Sequence, residues 1–397
     1  MGKSLRIAVI SDMHCMYKED YNSPDTILFS NQLRCGDKKH PIETLIQLIQ
    51  ENDLTCDYVL CPGDIANKAD IQGLISGFGF LQEIRSALQA KCLFCAPGNH
   101  DVAFMDHKWF DTAHQPLKAL HQDYPVPGDD RKRQFLADNF YVYSDEQIVV
   151  LCVDSVHNYT DKENAQKTLI THATLGKIQS QLSELVPVQG VIKIALTHHH
   201  PIKYSNTDYL QYKDADALEN GDQLLDILKK SGFHLLIHGH KHIPRVEIRN
   251  DFPIFCAGSF SGLQNLKLGD DANTFHIVDV KLPDDSSPQY AQGVIRTWEY
   301  RQNNGWTMND SPTKGFPALT GFGSRISVAD IASKIDTLIG SQPLITYKEV
   351  EDGCPFIHWL TPFEQDELTT LLQNQYHLAF FPCLKVGPTQ IMKMIAE

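Results

Sequence analysis

No apolar run in this chain approaches 18 uninterrupted residues, so nothing in it reads as a membrane-crossing helix. Met1 to Arg6 carries one lysine and one arginine but no apolar stretch of signal-peptide length, and a soluble, cytoplasmic protein is expected. Gly2 follows Met1, yet Arg6 stands where a myristoylation signal needs Ser or Thr. Basic residues are also scarce: 35 Lys and Arg face 49 Asp and Glu, a net charge of -14. That balance argues against a broad phosphate-backbone footprint, whose affinity comes from clustered cations. It counts against a DNA-coating protein but not against a nuclease, because bound metal ions bring their own positive charge. Cys92 and Cys95 form a CxxC, but no second one follows. Leu93 and Phe94 between them make a buried strand the better reading than a zinc or redox site. The other cysteines are scattered, several inside apolar runs, as expected of reduced thiols without a disulfide framework.

What is present is a globular composition, 42% hydrophobic and 21% charged over 397 residues, enough for one large domain and a smaller companion. Short aliphatic runs alternate with helical patterns to about residue 240, the signature of βαβ-type units. The runs Leu5 to Ile10, Asp57 to Cys61, Lys91 to Ala96, Ile148 to Val153, Val191 to Leu196 and His234 to Ile237 predict strands. Ile42, Leu45, Ile46 and Ile49 share one helical face, as do Leu175, Ile178, Leu182 and Leu185. A third helix begins near Asp222 and stops at Gly232. Phe252 to Ala257, Thr274 to Lys281 and Gly293 to Tyr300 then read as strands without intervening helices, predicting antiparallel additions to a second sheet. The division expected is a catalytic domain over 1–305, a linker over 306–325 rich in Gly, Asn, Pro and Thr, and an α+β module over 326–397. In the last unit, Thr361, Pro362 and Glu364 have the spacing of a capped helix start.

Acidic and imidazole residues collect at the carboxyl ends of the predicted strands. The first strand leads into Asp12 and His14, the second into Gly63 and Asp64, the third into Gly98, Asn99, His100 and Asp101. The fifth leads into His198, His199 and His200, and the sixth into Gly239, His240 and His242. Strand ends of an open α/β sheet converge on one crevice, so these distant segments can meet. Carboxylates, a carboxamide and imidazoles form a ligand set for Mn, Fe, Zn or Ni, and the absence of paired thiolates disfavours a structural zinc cluster. Two such ions sharing a carboxylate stabilise the attacking and leaving oxygens of a displacement at phosphorus. The glycines let the backbone turn off a strand close to a metal or phosphate.

This ordered set of Asp-x-His, Gly-Asp, Gly-Asn-His-Asp, His-His and Gly-His-x-His resembles the calcineurin-like metallophosphoesterases over roughly residues 5–282. The resemblance implies an α/β protein, a four-layer α/β/β/α sandwich of two mixed sheets, with the small α+β module appended. It implies two divalent metal ions and hydrolysis of phosphate esters by a metal-bridging hydroxide. Asp12, His14, Asp64 and His242 would hold the first ion, and Asp64, Asn99, His198 and His240 the second. His100 would contact the scissile phosphate, with Asp101 as its orienting partner. Three successive histidines leave His198 and His199 open as the fifth-segment ligand; His198, at the strand end, is preferred. His238 reads as a strand histidine, while His157 and Cys15 carry no chemical requirement.

The substrate expected is a phosphate ester, nucleotide-derived ones included, and the resemblance to small soluble phosphodiesterases such as the class III cyclic nucleotide enzymes favours diesters. A nuclease and a catalytically silent scaffold are the competing readings. Arg131, Lys132 and Arg133, preceded by Asp129 and Asp130, read as a solvated loop rather than a phosphate contact. Ser205 to Asn220 reads equally as a lid or a plain surface loop. No motif in the C-terminal module chooses between oligomerisation, substrate recognition and partner binding.

Overall fold

The computed structural model describes residues 4–18, 25–34, 40–103, 110–118, 120, 123–185, 190–204, 216–263, 272–282, 291–302, 304–311 and 314–394. Strands and helices alternate at first: β1 (Ser4–Val9), α1 (Pro41–Glu51), β2 (Tyr58–Cys61), α2 (Ile71–Ala87), β3 (Cys92–Cys95), α3 (Gln115–Lys118) and α4 (Asp129–Asp138). They continue through β4 (Phe140–Ser144), β5 (Ile148–Val153), α5 (His172–Glu184), β6 (Ile192–Leu196), α6 (Gly221–Lys230) and β7 (Leu235–His238). A run of strands follows: β8 (Arg245–Arg249), β9 (Phe252–Cys256), β10 (Asn273–Lys281), β11 (Gln292–Arg301), β12 (Gly305–Met308) and β13 (Leu319–Phe322). Last come α7 (Val328–Ile339), β14 (Leu344–Thr346), α8 (Tyr347–Gly353), α9 (Pro362–Leu371), β15 (Leu378–Phe381) and β16 (Gln390–Lys393). No helix of the described residues is long and apolar enough to cross a membrane.

The strands form two large mixed sheets and one small one. The first runs β12-β11-β10-β1-β2-β3, with β13 also on β11, and the second runs β4-β5-β6-β7-β9-β8. Side-chain alternation shows how the layers stack. On β5, Ile148, Val150 and Cys152 join the core between the two sheets, whereas Val149, Leu151 and Val153 pack with Leu175, Ile178, Leu224 and Leu228 of α5 and α6. A strand buried on both faces reads as a continuous apolar run, which is why these segments are visible in the sequence. Ile42, Leu45 and Ile49 of α1 and Leu74, Phe78 and Leu81 of α2 lie in the same core as the first sheet. The result is the four-layer α/β/β/α sandwich.

Three expectations need correction. Phe252–Cys256 does lie in the second sheet, but it runs parallel to β7, with β8 antiparallel on its other side. β10 and β11 are antiparallel additions to the first sheet, through β1. Within the stretch read as a linker, β12 and β13 both hydrogen-bond to β11, so it contributes two sheet strands. Arg131, Lys132 and Arg133 lie in helix α4 rather than a loop; the Arg131 guanidinium sits over the Tyr143 ring and Lys132 reaches the Leu120 carbonyl.

From Ser327 onward the chain has its own apolar core around Ile331, Ile335, Leu368 and Leu372, beside the sheet β14-β16-β15. Thr361 and Glu364 make the reciprocal capping pair their spacing predicts, with Thr361 Oγ1 accepting from the Glu364 N–H and Glu364 Oε2 from the Thr361 N–H.

Candidate metal centre

The loops that leave the carboxyl ends of both large sheets are tied to each other by backbone bonds. The Asp12 N–H donates to Gly63 O at 3.0 Å, the His14 N–H to Asp64 O at 2.9 Å, and the Gly239 N–H to His198 O at 3.1 Å. From the segment that follows β9, the Phe260 N–H donates to Ser11 O and Ser259 Oγ to Asp12 O, each at 2.8 Å. These loops hold Asp12, His14, Asp64, His240 and His242 at positive φ, between 46° and 70°. Left-handed backbone costs a non-glycine residue about 1 kcal/mol or more, and its concentration at one point marks a functional site. The neighbouring glycines allow close approach: a Cβ on Gly98 would collide with the Asp64 carboxylate, and one on Gly239 with Ser11 Oγ and the Asp12 carboxylate.

Two groups of metal-competent atoms result. Asp12, His14, Asp64 and His242 form one and His198, His199 and His240 the other, the ligand atoms within each group lying within 4.8 Å of one another. In the first, His14 Nε2 and His242 Nε2 are 2.9 Å apart, Asp12 Oδ1 is 3.3 Å from the His242 nitrogen, and Asp64 Oδ2 is 3.8 Å from that of His14. In the second, His198 Nε2 and His240 Nδ1 both stand 3.0 Å from Asn99 Oδ1. Asp64, a member of the first group, also reaches the second: its Oδ2 is 3.3 Å from His198 Nε2. Imidazole and oxygen lone pairs aimed at common points in an almost dry pocket satisfy one another poorly, and divalent cations fit them.

The tautomers are set from outside each group. His198 Nδ1 donates to the Pro62 carbonyl across the two sheets at 3.0 Å, which turns Nε2 toward Asp64 and Asn99. His199 also falls within the second group by distance, but its Nδ1 is engaged by Ser155 Oγ at 2.9 Å and its Nε2 by the Tyr159 hydroxyl at 3.2 Å. Of the two candidates, His198 is the one turned to Asp64. His238 bonds Tyr204 and the Gly239 carbonyl and takes no part.

Electrostatics follow the geometry. Burial pushes the His14 ring down to about 3, and the neighbouring His100 adds to this, leaving a neutral ligand nitrogen. Burial likewise depresses His240 to about 4. Burial alone would raise Asp64, yet the facing His198 and His100 hold it well below the usual carboxylate range. His198 goes the other way: burial alone would lower it, yet the charge and hydrogen bond of Asp64 together with the charges of Asp12 and Asp101 raise it to about 9.

His100 lies edge-on to His14 with ring centroids 4.7 Å apart, and its N–H donates to Asp64 Oδ1 at 2.7 Å. Its ring is held by Asn67, whose Oδ1 is 2.6 Å from Nδ1. Asp101, expected as the orienting partner, instead accepts the backbone N–H groups of Ala66 at 2.7 Å and Gly98 at 2.9 Å. It braces the two ligand loops, and burial together with Asp64 raises it to about 7. Asn67 was missed because a single Asn three residues after Gly-Asp has no periodic or spacing signal of its own. Asp216, 3.5 Å from His240 Nε2, was hidden inside the polar stretch read as lid or loop; the 205–215 part of that stretch lies outside the described residues.

The sequence profile for calcineurin-like phosphoesterases matches residues 5–244. Among solved structures, a purple acid phosphatase from yellow lupin is 14% identical with a TM-score of 0.47, covering 77% of this chain and 52% of its own. The chain thus spans about half the length of that relative. The phosphopantetheinyl hydrolase of Mycobacterium tuberculosis is 13% identical, covering 64% of this chain and 89% of its own, with a TM-score of 0.37. Vps29 from Cryptosporidium parvum is 10% identical, covering 81% and 98%, with a TM-score of 0.34. A search of the curated proteins gives no match.

Proposed function

The chain belongs to the calcineurin-like phosphoesterase family, and on that premise we propose that it is a binuclear metal-dependent phosphodiesterase. Asp12, His14, Asp64 and His242 hold one divalent cation, Mn, Fe, Zn or Ni, and Asp64, Asn99, His198 and His240 hold the second. The observation that carries this reading is the place of Asp64, whose carboxylate reaches both groups of ligand atoms. Two such ions lower the pKa of a coordinated water and draw charge from the phosphoryl oxygens.

The protein's own groups do the rest. His100, braced by Asn67 and edged against His14, stands beside the ligand cluster, where its ring contacts the scissile phosphate and stabilises the developing charge or, once protonated, passes that proton to the leaving oxygen. Asp12 fixes the last ligand loop by accepting the His240 N–H on both carboxylate oxygens, at 3.1 and 3.2 Å. Two lysines near the site have their charge offset, Lys68 by Asp25 and Lys241 by Asp216. A singly charged diester needs less compensating charge than a doubly charged monoester, which supports the diester. The net charge of -14 supports a small, nucleotide-derived substrate over a nucleic acid. The described cysteines are all free, in keeping with a reducing, cytoplasmic setting. The segment after Ser327 serves as an accessory module for oligomerisation or partner binding.

The test is hydrolysis of bis(p-nitrophenyl) phosphate against p-nitrophenyl phosphate by metal-stripped protein given Mn, Fe, Zn or Ni in turn. The expected result is metal-dependent cleavage, faster on the diester, that falls about 10²–10⁴-fold in His100→Ala without loss of bound metal. No turnover with any metal, despite two bound ions, would overturn it in favour of a scaffold.

A further inference from the structure

His240 faces two partners. Its Nδ1 is 3.0 Å from Asn99 Oδ1, and its Nε2, on the far side of the ring, is 3.5 Å from Asp216 Oδ2. Asp216 is half exposed, which would ordinarily make it a solvated loop acid. The chain just beyond it is nevertheless fixed: the Leu218 N–H donates to His200 O at 3.0 Å, the Glu219 N–H to Thr168 O at 2.9 Å, and the Leu218 side chain is buried. The anchor at His200 is two residues from the ligand segment's His198, so the loop that carries Asp216 is tied to the loop that carries the second ligand group. Lys241 Nζ, 3.8 Å from the same carboxylate oxygen, adds a second hold.

We infer that Asp216 is a positioning residue for the second metal ion: it accepts the Nε2–H of His240, fixes the tautomer whose Nδ1 lone pair points to the site, and raises the basicity of that nitrogen. An imidazole that ligates a metal through one nitrogen is commonly oriented by a carboxylate on the other, and loss of such a partner weakens metal affinity about 10–100-fold. The inference rests on the two-ion reading above and adds to it an asymmetry. Asp216 touches one ligand of the second group and none of the first, so its removal should weaken one ion and spare the other.

The experiment is calorimetric titration of the metal-stripped protein with Mn²⁺ or Zn²⁺, for wild type, Asp216→Ala, Asp216→Glu and His240→Ala. Wild type is expected to bind two ions per chain. Asp216→Ala should keep one affinity unchanged and weaken the other about 10–100-fold, with its thermal midpoint in the metal-free state close to wild type. Asp216→Glu should restore part of the loss, and His240→Ala should weaken the same step at least as much. If both affinities of Asp216→Ala match wild type, or both fall together, the positioning role is wrong and Asp216 is a surface ion-pair partner. If wild type itself binds fewer than two ions, it is the two-ion reading that fails.

Discussion

The edge where the two large sheets end and the small sheet near the C-terminus follow opposite designs. Around the first, Asp12, His14, Asp64, Asp101, His198, His199 and His242 are all buried. Five of its ligand candidates hold left-handed backbone. Among the described residues from Ser327 onward, the buried polar side chains are Thr361 and Gln365, and the one non-glycine residue at positive φ is His377. There the polar groups cap helices instead: Ser327, Thr346 and Thr361 each accept an N–H of the first turn. A region in which capping, burial and periodicity agree is built to be stable. A region that gathers charge and strain at one point is held together for chemistry.

The contrast breaks most sharply at Asp64. Asp64→Asn should reduce turnover on the order of 10³-fold or more, about 4 kcal/mol of barrier, since the amide cannot serve two cations as the carboxylate does. Full activity in steady-state assays of that variant would remove the bridging role. Leu368→Ala, in the core of the C-terminal segment, should cost about 2–5 kcal/mol in denaturant unfolding through loss of packing. Turnover per folded molecule should stay unchanged; a parallel fall would show that this segment shapes the site.

A smaller effect separates structural from functional histidines. His234, just before β7 and at the opposite end of that strand from His240, accepts the Lys193 N–H on Nδ1 at 3.0 Å, and burial aided by Lys193 depresses it to about 4. Its folded value lies below the usual 6.5, so the unfolded chain binds the extra proton between those values and stability falls as pH drops from about 6.5 toward 4. Above 6.5 the contribution is fully present. His234→Gln should flatten that slope by on the order of 1–3 kcal/mol across the window, measured by urea unfolding of metal-stripped protein at several pH values.

Much of this architecture is legible in the sequence because central strands buried on both faces are short, mostly aliphatic runs, as in Ile148 to Val153 and, broken only by Lys193, Val191 to Leu196. α2 escapes notice because Gly73, Gly77 and Gly79 dilute its apolar face with poor helix formers. The assignment of β10 and β11 to the first sheet depends on pairing with β1, more than 260 residues away by register (Ser4 with Lys281), which no local pattern encodes. The candidate ligands stand out because each follows a strand by a few residues. Asn67 and Asp216 do not, since their role is fixed by what they touch, and Asp101 shows that adjacency to His100 in sequence does not make it a partner in space.

Whether Asp64 stands between two metal ions can be read from anomalous diffraction of crystals of the Mn-loaded protein. Two peaks about 4 Å apart are expected, one among Asp12, His14 and His242 and the other among Asn99, His198 and His240, with the Asp64 carboxylate between them; a single peak, or density away from Asp64, would rule out a bridging Asp64.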